Sequence, residues 1–372
     1  MRRIGWRPND DPERNSLWLL PSGPDQVGEA SARRRSPLPI SRSKTSHASM
    51  CVTENLRYEV RMPLSSFQNT FAGNPLNRVS DRRKDDAWLA EQLASDESLG
   101  LAIWNGKPLV ETAKDGGVQI AYLPAKMVAE LAGGPERLLF MGLWKETSVF
   151  ALDMEGAADP CDGPLQGLGR FEDLRAIATR LPHTDAAILA TAKQMFEWRR
   201  RHKHCANCGE PSFVGEGGWK RVCPACNVEH FPRTDPVVIM LAVHGDRCML
   251  GRQEIWPKGM FSSLAGFLEP GESIEEACAR ELFEEAGLRT ASVAYHSTQP
   301  WPYPSSLMIG LIAQVEDDNA VPDQTELSEV KWFTKEEARQ LLAGKYPGCT
   351  APGSMAIAHQ LIKAWAEETT TA

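Results

Sequence analysis

The chain has 372 residues, 42% hydrophobic and 24% charged, with a formal net charge of −8. That length holds two or three domains with cores of their own; the acidic balance excludes a global basic field for nucleic acid and leaves only a local basic patch open. No run of about eighteen apolar residues offers a membrane-spanning helix, and nine cysteines without an export signal read as reduced thiols and metal ligands in a cytoplasmic setting, not as a disulfide scaffold.

Residues 1–64 are rich in Ser, Pro, Arg and Gly and read as a disordered leader. Arg2, Arg3, Arg7 and Arg33–Arg35 weakly resemble a transit peptide, while Asp10, Asp11 and Glu13 argue against one. Met50 and Met62 are alternative starts. Residues 65–180 read as a small α/β domain. Its strands are expected at Leu99–Trp104, Gln119–Leu123, Leu138–Leu143 and Ser148–Leu152, and its helices at Asp86–Ala94 and Ala125–Ala132. No catalytic constellation is visible there.

Residues 181–204 read as a connecting helix capped by Asp185, with apolar periodicity over Ala186–His202. Its basic end, Arg199 to His204, suits the negative pole of a helix; it reads as a solvated end or as a phosphate contact. Residues 205–232 form a cysteine-rich insert. In 233–366, Val237–Val243 is a β-branched run fit for a buried strand, Cys248–Gly251 continues the sheet, and strands alternate with helices to the end.

Cys205-x-x-Cys208 and Cys223-x-x-Cys226 stand fourteen residues apart. Two such knuckles close a tetrahedron of four thiolates around Zn2+, with no position left for water, so the metal is structural. His230 lies close in sequence and reads as a strand residue, not a fifth ligand.

Farther on, Ser273 caps a helix that Gly287 ends. Glu281, Glu284 and Glu285 fall at i, i+3 and i+4, so they share one face. Crowded carboxylates repel unless a hard divalent cation such as Mg2+ or Mn2+ gathers them. Arg280 can pin Glu281 or Glu272 by an ion pair, and Gly266 and Gly271 let the preceding loop approach closely.

The whole stretch, Gly266-x5-Glu272-x7-Arg280-Glu281-Leu282-x-Glu284-Glu285-x-Gly287-Leu288, resembles the Nudix box at every specified position. The resemblance implies an α/β/α sandwich and metal-dependent hydrolysis of a nucleoside diphosphate linked to another group. The segment Gln299-Pro300-Trp301-Pro302-Tyr303-Pro304-Ser305-Ser306 is stiff and aromatic, able to wall a flat ligand. It resembles the substrate array of the NADH pyrophosphatases, a Nudix subfamily that also carries a four-cysteine zinc ribbon and a small N-terminal α/β domain. Thr298 and Tyr303 replace the array's usual Ser and Phe, and Gly217-Gly218 precede Trp219 where some members place an acidic residue.

That likeness implies the site by position. Gln299 to Ser306 would line the dinucleotide pocket. Ala265 would offer its carbonyl to the metal, and Glu281, Glu285 and Glu326 would be ligands, with Glu272 and Arg280 supporting them. Glu284 is open as ligand or general base. Phe231 would stack on a base or pack in the core, and Ala358 would touch substrate through its backbone. A homodimer is implied. The reaction expected is cleavage of NADH or NAD+ to nicotinamide mononucleotide and AMP. The same chemistry on NAD-capped RNA, on ADP-ribose or dinucleoside polyphosphates, and a non-catalytic zinc-ribbon binding module are the alternatives.

Overall fold

Short apolar runs between Gly and Asp turns build the first sheet. In the computed structural model, which describes residues 69–368, all of these lie in the unit Val60–Ala372. The leader expected at 1–64 lies outside the described residues. Helix α1 (Asp86–Ala94) is followed by β1 (Leu99–Trp104), β2 (Lys107–Thr112), β3 (Val118–Ile120), β4 (Leu123–Pro124), α2 (Ala125–Ala132), β5 (Leu138–Trp144), β6 (Thr147–Met154), β7 (Arg170–Phe171) and α3 (Leu174–Ile177). The sheet runs β3-β2-β1-β6-β5, with β4 on β1 and β7 on β2. The single strand expected at Gln119–Leu123 is two, because the chain leaves β2 after Ile120 and pairs with β1 from Leu123. Strand β2 was not anticipated: its Pro108 and charged ends mask a buried Pro-Leu-Val centre.

The connecting helix α4 (His183–Arg201) begins before Asp185. Asp185 is therefore not its cap: the carboxylate instead accepts the backbone N–H of Ile120 at 3.0 Å, tying the helix to β3. Ala187, Ile188, Ala192 and Phe196 of α4 are buried in the N-terminal core. The cysteine insert is a small sheet of β8 (Phe213–Gly215), β9 (Lys220–Val222) and β10 (Glu229–His230), in the order β10-β9-β8.

The last domain carries β11 (Asp235–His244), β12 (Arg247–Arg252), β13 (Leu264–Phe267), α5 (Ile274–Ala286), β14 (Thr290–Trp301), β15 (Ser306–Val315), β16 (Glu329–Thr334), α6 (Lys335–Leu342) and α7 (Ile357–Glu367). The order is β14-β15-β11-β12-β16, with β13 beside β11. Val237 to Val243 are all buried, since this central strand is covered on both faces. Leu282 and Ala286 of α5 pack on one face; Leu361 and Ile362 of α7 pack on the other. The result is the α/β/α sandwich, preceded by the ribbon and the α/β domain. Trp301, the last residue of β14, and Tyr303 just beyond it pack against the N-terminal core.

Candidate active site

Local sequence positions the carboxylate helix. The Ser273 side chain accepts from Glu276 N at 3.2 Å and Glu276 accepts from Ser273 N at 2.8 Å, a capping box that starts α5. Gly287, at φ +68°, ends it in the left-handed region. Arg280 binds all three carboxylates within its reach. It donates to Glu272 at 2.5 and 2.9 Å, to Glu281 at 2.8 Å and to Glu284 at 3.0 Å, and also to the Phe267 carbonyl at 2.9 Å. The Arg280 hydrogen bonds hold Glu272 down to about 2, well below the usual carboxylate range.

Glu281 and Glu285 face inward and are buried. Burial, then the charges of Glu281, Glu326, Asp323 and Glu284, pushes Glu285 up to about 8. Its Oε2 is buried without a hydrogen-bond partner. The Glu281 carboxylate lies against the bare backbone of Gly266, where a Cβ would come within 2.0 Å of its Oε1. Gly271 has open space but a φ of +99°, which the turn into α5 requires.

Glu326 arrives on a turn hung from the end of α5. Val321 N donates to Ala286 O at 2.9 Å and Asp323 N to Glu285 O at 3.1 Å. Asp323 then accepts from the backbone N–H groups of Glu326 and Leu327 at 3.0 and 2.9 Å. Asp323 was missed by sequence reasoning; the Asp-x-Thr-Glu spacing of an Asx turn is the signal that marks it.

A cavity of about 580 Å3 opens beside these groups, lined by Ala265, Glu285, Gln299, Trp301 and Ala358 among the expected residues. Trp256 and Arg175 also line it and had not been singled out. Gln299 and Trp301 are also held from behind, and the rest of the aromatic segment does not line the cavity. Gln299 is 1% exposed. Its amide nitrogen donates to Thr70 O at 3.0 Å and Met355 O at 2.8 Å, and its oxygen accepts from Ile357 N at 2.8 Å. Tyr303 and Trp301 pack edge-on to Phe71, with ring centroids 6.2 and 6.0 Å away. Ser305 donates to Asp235 at 2.9 Å, and Ser306 pairs with Asp235 at the start of β11. Pro300, Pro302 and Pro304 do not line the cavity, nor does Phe231, which is 63% exposed.

The four expected zinc ligands converge. Cys205 and Cys226 sulfurs are 3.6 Å apart, those of Cys208 and Cys223 3.5 Å, and all four lie within 4.8 Å of one another. No other group of three or more such ligands meets that spacing among the described residues; the glutamates stand wider. His230, in β10 as expected, brings its Nε2 to 3.2 Å from Cys205 Sγ, within hydrogen-bond reach. Gly217 and Gly218 take positive φ where a Cβ would press on Phe140 and Leu139, and Trp219 donates to Phe140 O at 2.7 Å. The basic end of α4 is largely spent. Arg199 is buried and donates to the carbonyls of Leu138, Pro135 and Glu136, while Arg200 and Arg201 pair with Glu197 at 2.6 Å each.

Three family models match consecutive parts of the chain: the NADH pyrophosphatase-like rudimentary NUDIX domain over 97–198, the NADH pyrophosphatase zinc ribbon domain over 200–231 and the NUDIX domain over 232–349. The NAD-capped RNA hydrolase NUDT12 of Macaca fascicularis is 36% identical over 338 residues, covering 80% of this chain and 73% of its own. The NAD-capped RNA hydrolase NudC of Mycobacterium bovis (strain BCG / Pasteur 1173P2) is 35% identical over 295 residues, covering 74% and 91%. This chain belongs to the NADH pyrophosphatase group of Nudix hydrolases. Human mitochondrial NAD(P)H pyrophosphatase NUDT13 is 40% identical to this Nudix hydrolase over 219 residues, 54% of this chain and 61% of its own.

Nudix enzymes use divalent metals, and the residues here fit one. A buried carboxylate oxygen without a partner, facing like charges that raise its proton affinity, is stabilised by a hard cation in place of a proton. The ribbon of this Nudix chain likewise fits zinc, since four free thiols converge within 4.8 Å of one another.

Proposed function

We propose that this Nudix hydrolase cleaves the diphosphate of NADH and NAD+ to nicotinamide mononucleotide and AMP. The observation that carries the proposal is that Glu285 of the carboxylate helix and Trp301 of the aromatic segment line one cavity. Glu281, Glu285 and Glu326, with the Ala265 carbonyl, would hold Mg2+ or Mn2+. When bound, that ion neutralises the diphosphate and activates a water. Arg280 fixes the rotamers of Glu281 and Glu284 and is itself anchored by Glu272. Glu284, more than half exposed beside them, can take the proton of the attacking water through the oxygen that Arg280 leaves unbound. Trp301 and Trp256 wall the cavity for a planar ring. Gln299 lines the cavity beside Trp301, Tyr303, Ser305 and Ser306 support that wall from behind, and Ala358 offers the backbone of α7.

Phe231 stands exposed and outside its own chain's cavity, which favours a homodimer in which one ribbon reaches the partner's pocket. The free thiols among the described cysteines suit a reducing, cytoplasmic setting, and no helix among the described residues is long and apolar enough to cross a membrane. Hydrolysis of NAD-capped RNA is the second reading, favoured by the names of two relatives. The test is incubation with Mg2+ or Mn2+ and NADH, NAD+, ADP-ribose or a diadenosine polyphosphate, beside Glu285→Gln. Mononucleotide and AMP from NADH, lost in the variant, are expected. Preference for ADP-ribose or the diadenosine compound overturns the substrate assignment, and turnover of none overturns the activity.

A further inference from the structure

Among the described residues, Arg175 is the one cationic side chain lining the cavity, as Glu285 is the one acidic. It comes from the N-terminal domain, on α3, whose first turn Asp173 caps through Ala176 N at 3.1 Å. Its guanidinium lies over two rings of the aromatic segment, 5.3 Å from the centroid of Trp301 and 5.2 Å from that of Tyr303. Stacking of this kind orients the guanidinium plane while leaving its N–H donors at the edge. The neighbouring Arg170 and Arg180 are both paired with Glu172, at 2.7 and 3.1 Å; Arg175 makes no ion pair among the described residues.

Strand register sets Trp301, the ring beneath this cation, apart from Ala265, which precedes the Gly266 that meets Glu281. Ala265 is opposite Ile239, Ile239 opposite Gly310 and Gly310 opposite Ser297. Trp301 lies four residues beyond Ser297 on β14. Three strand spacings across and four residues along put Ala265 and Trp301 roughly 20 Å apart. One diphosphate does not span that length.

We propose that Arg175 is a specificity-determining residue that binds a phosphate ester carried by the nucleotide outside the scissile diphosphate. The ester is either a monoester on the ribose of a free dinucleotide or the phosphodiester that joins the dinucleotide to an RNA chain. The planar fork of N–H donors matches two phosphate oxygens, and Arg175 is exposed, so the fork stands open to a ligand that enters the cavity. The N-terminal domain thereby takes part in choosing substrate. This inference rests on the function proposed above.

The 372-residue protein, loaded with zinc and Mg2+, is assayed with NADH, NADPH and a short RNA bearing a 5′ NAD, as wild type, Arg175→Ala and Arg175→Lys. In Arg175→Ala, kcat/KM for a phosphate-bearing substrate is expected to fall about 10- to 100-fold more than that for NADH, chiefly through KM, with partial recovery in Arg175→Lys. A selective fall for NADPH assigns the monoester; a selective fall for the RNA assigns the diester. Equal losses on all three substrates, or no loss, overturn the inference and leave Arg175 a wall of the ring pocket. Turnover of none by the wild type refutes the activity instead. In that case calorimetric binding of NADPH against NADH, wild type beside Arg175→Ala, decides the inference: an unchanged NADPH:NADH affinity ratio overturns it.

Discussion

The carboxylate of Glu281 rests against the bare Cα of Gly266, so a Cβ there would lie 1.9 Å from its carboxyl carbon. Gly266→Ala must therefore displace Glu281, which is also tethered by Arg280 at 2.8 Å. On the proposal that Glu281 holds the metal, misplacing it by an ångström costs about 100-fold in rate. The variant is expected to fold and to lose about that much kcat for NADH, read by steady-state kinetics beside a thermal melt. Full activity would show that the Glu281 position is unimportant to the reaction.

Gln299 spends both ends of its amide on backbone groups of the segment at Thr70 and of the approach to α7. Gln299→Ala leaves two carbonyls and a helix N–H without partners in a buried place. It is expected to cost about 2–4 kcal/mol in a denaturant titration. A change in KM with no loss of stability would contradict this structural use of the side chain.

The two metal sites are expected to separate on chelation. A brief EDTA treatment should abolish NADH hydrolysis, and Mg2+ alone should restore it, because oxygen ligands exchange readily while a closed thiolate site does not. Cys223→Ser, in a fully buried ligand, should lose one zinc equivalent by elemental analysis and lower the melting temperature. Retention of zinc in that variant would refute the four-sulfur site.

Asp153 supplies a pH dependence away from the catalytic groups. Burial pushes its carboxyl up to about 6, only partly offset by Arg200, 3.9 Å away. Between about pH 4 and pH 6 the folded state holds a proton that the unfolded state has released, so stability falls as pH rises through that window. Asp153→Asn removes this loss. It is expected to be more stable than wild type by about 1–3 kcal/mol at pH 7–8 and to show no advantage at pH 4, as read by melts at the two pH values.

Much of the site was legible because its chemistry is local. Carboxylates at i, i+3 and i+4 share a helix face whatever surrounds them, and two Cys-x-x-Cys knuckles need only a turn each to converge. Ser273 and Gly287 bound the helix as their residue types require. Asp185 shows the limit. Its type suits a helix cap, but a free N–H on Ile120, 65 positions away, took it instead.

The sequence by itself determined the box helix, the four zinc thiolates, the order of the three modules and the family. Tertiary structure alone decided which members of the aromatic segment face the cavity. Gln299 lines it with its amide spent on Thr70, while Tyr303 is drawn to Phe71 and does not, contacts more than 220 residues apart in the chain. It also decided that Arg175, unremarkable beside Leu174 and Ala176, would stand over Trp301. Periodicity reports which residues share a face of one element; which groups of distant elements satisfy one another is fixed only when those elements pack.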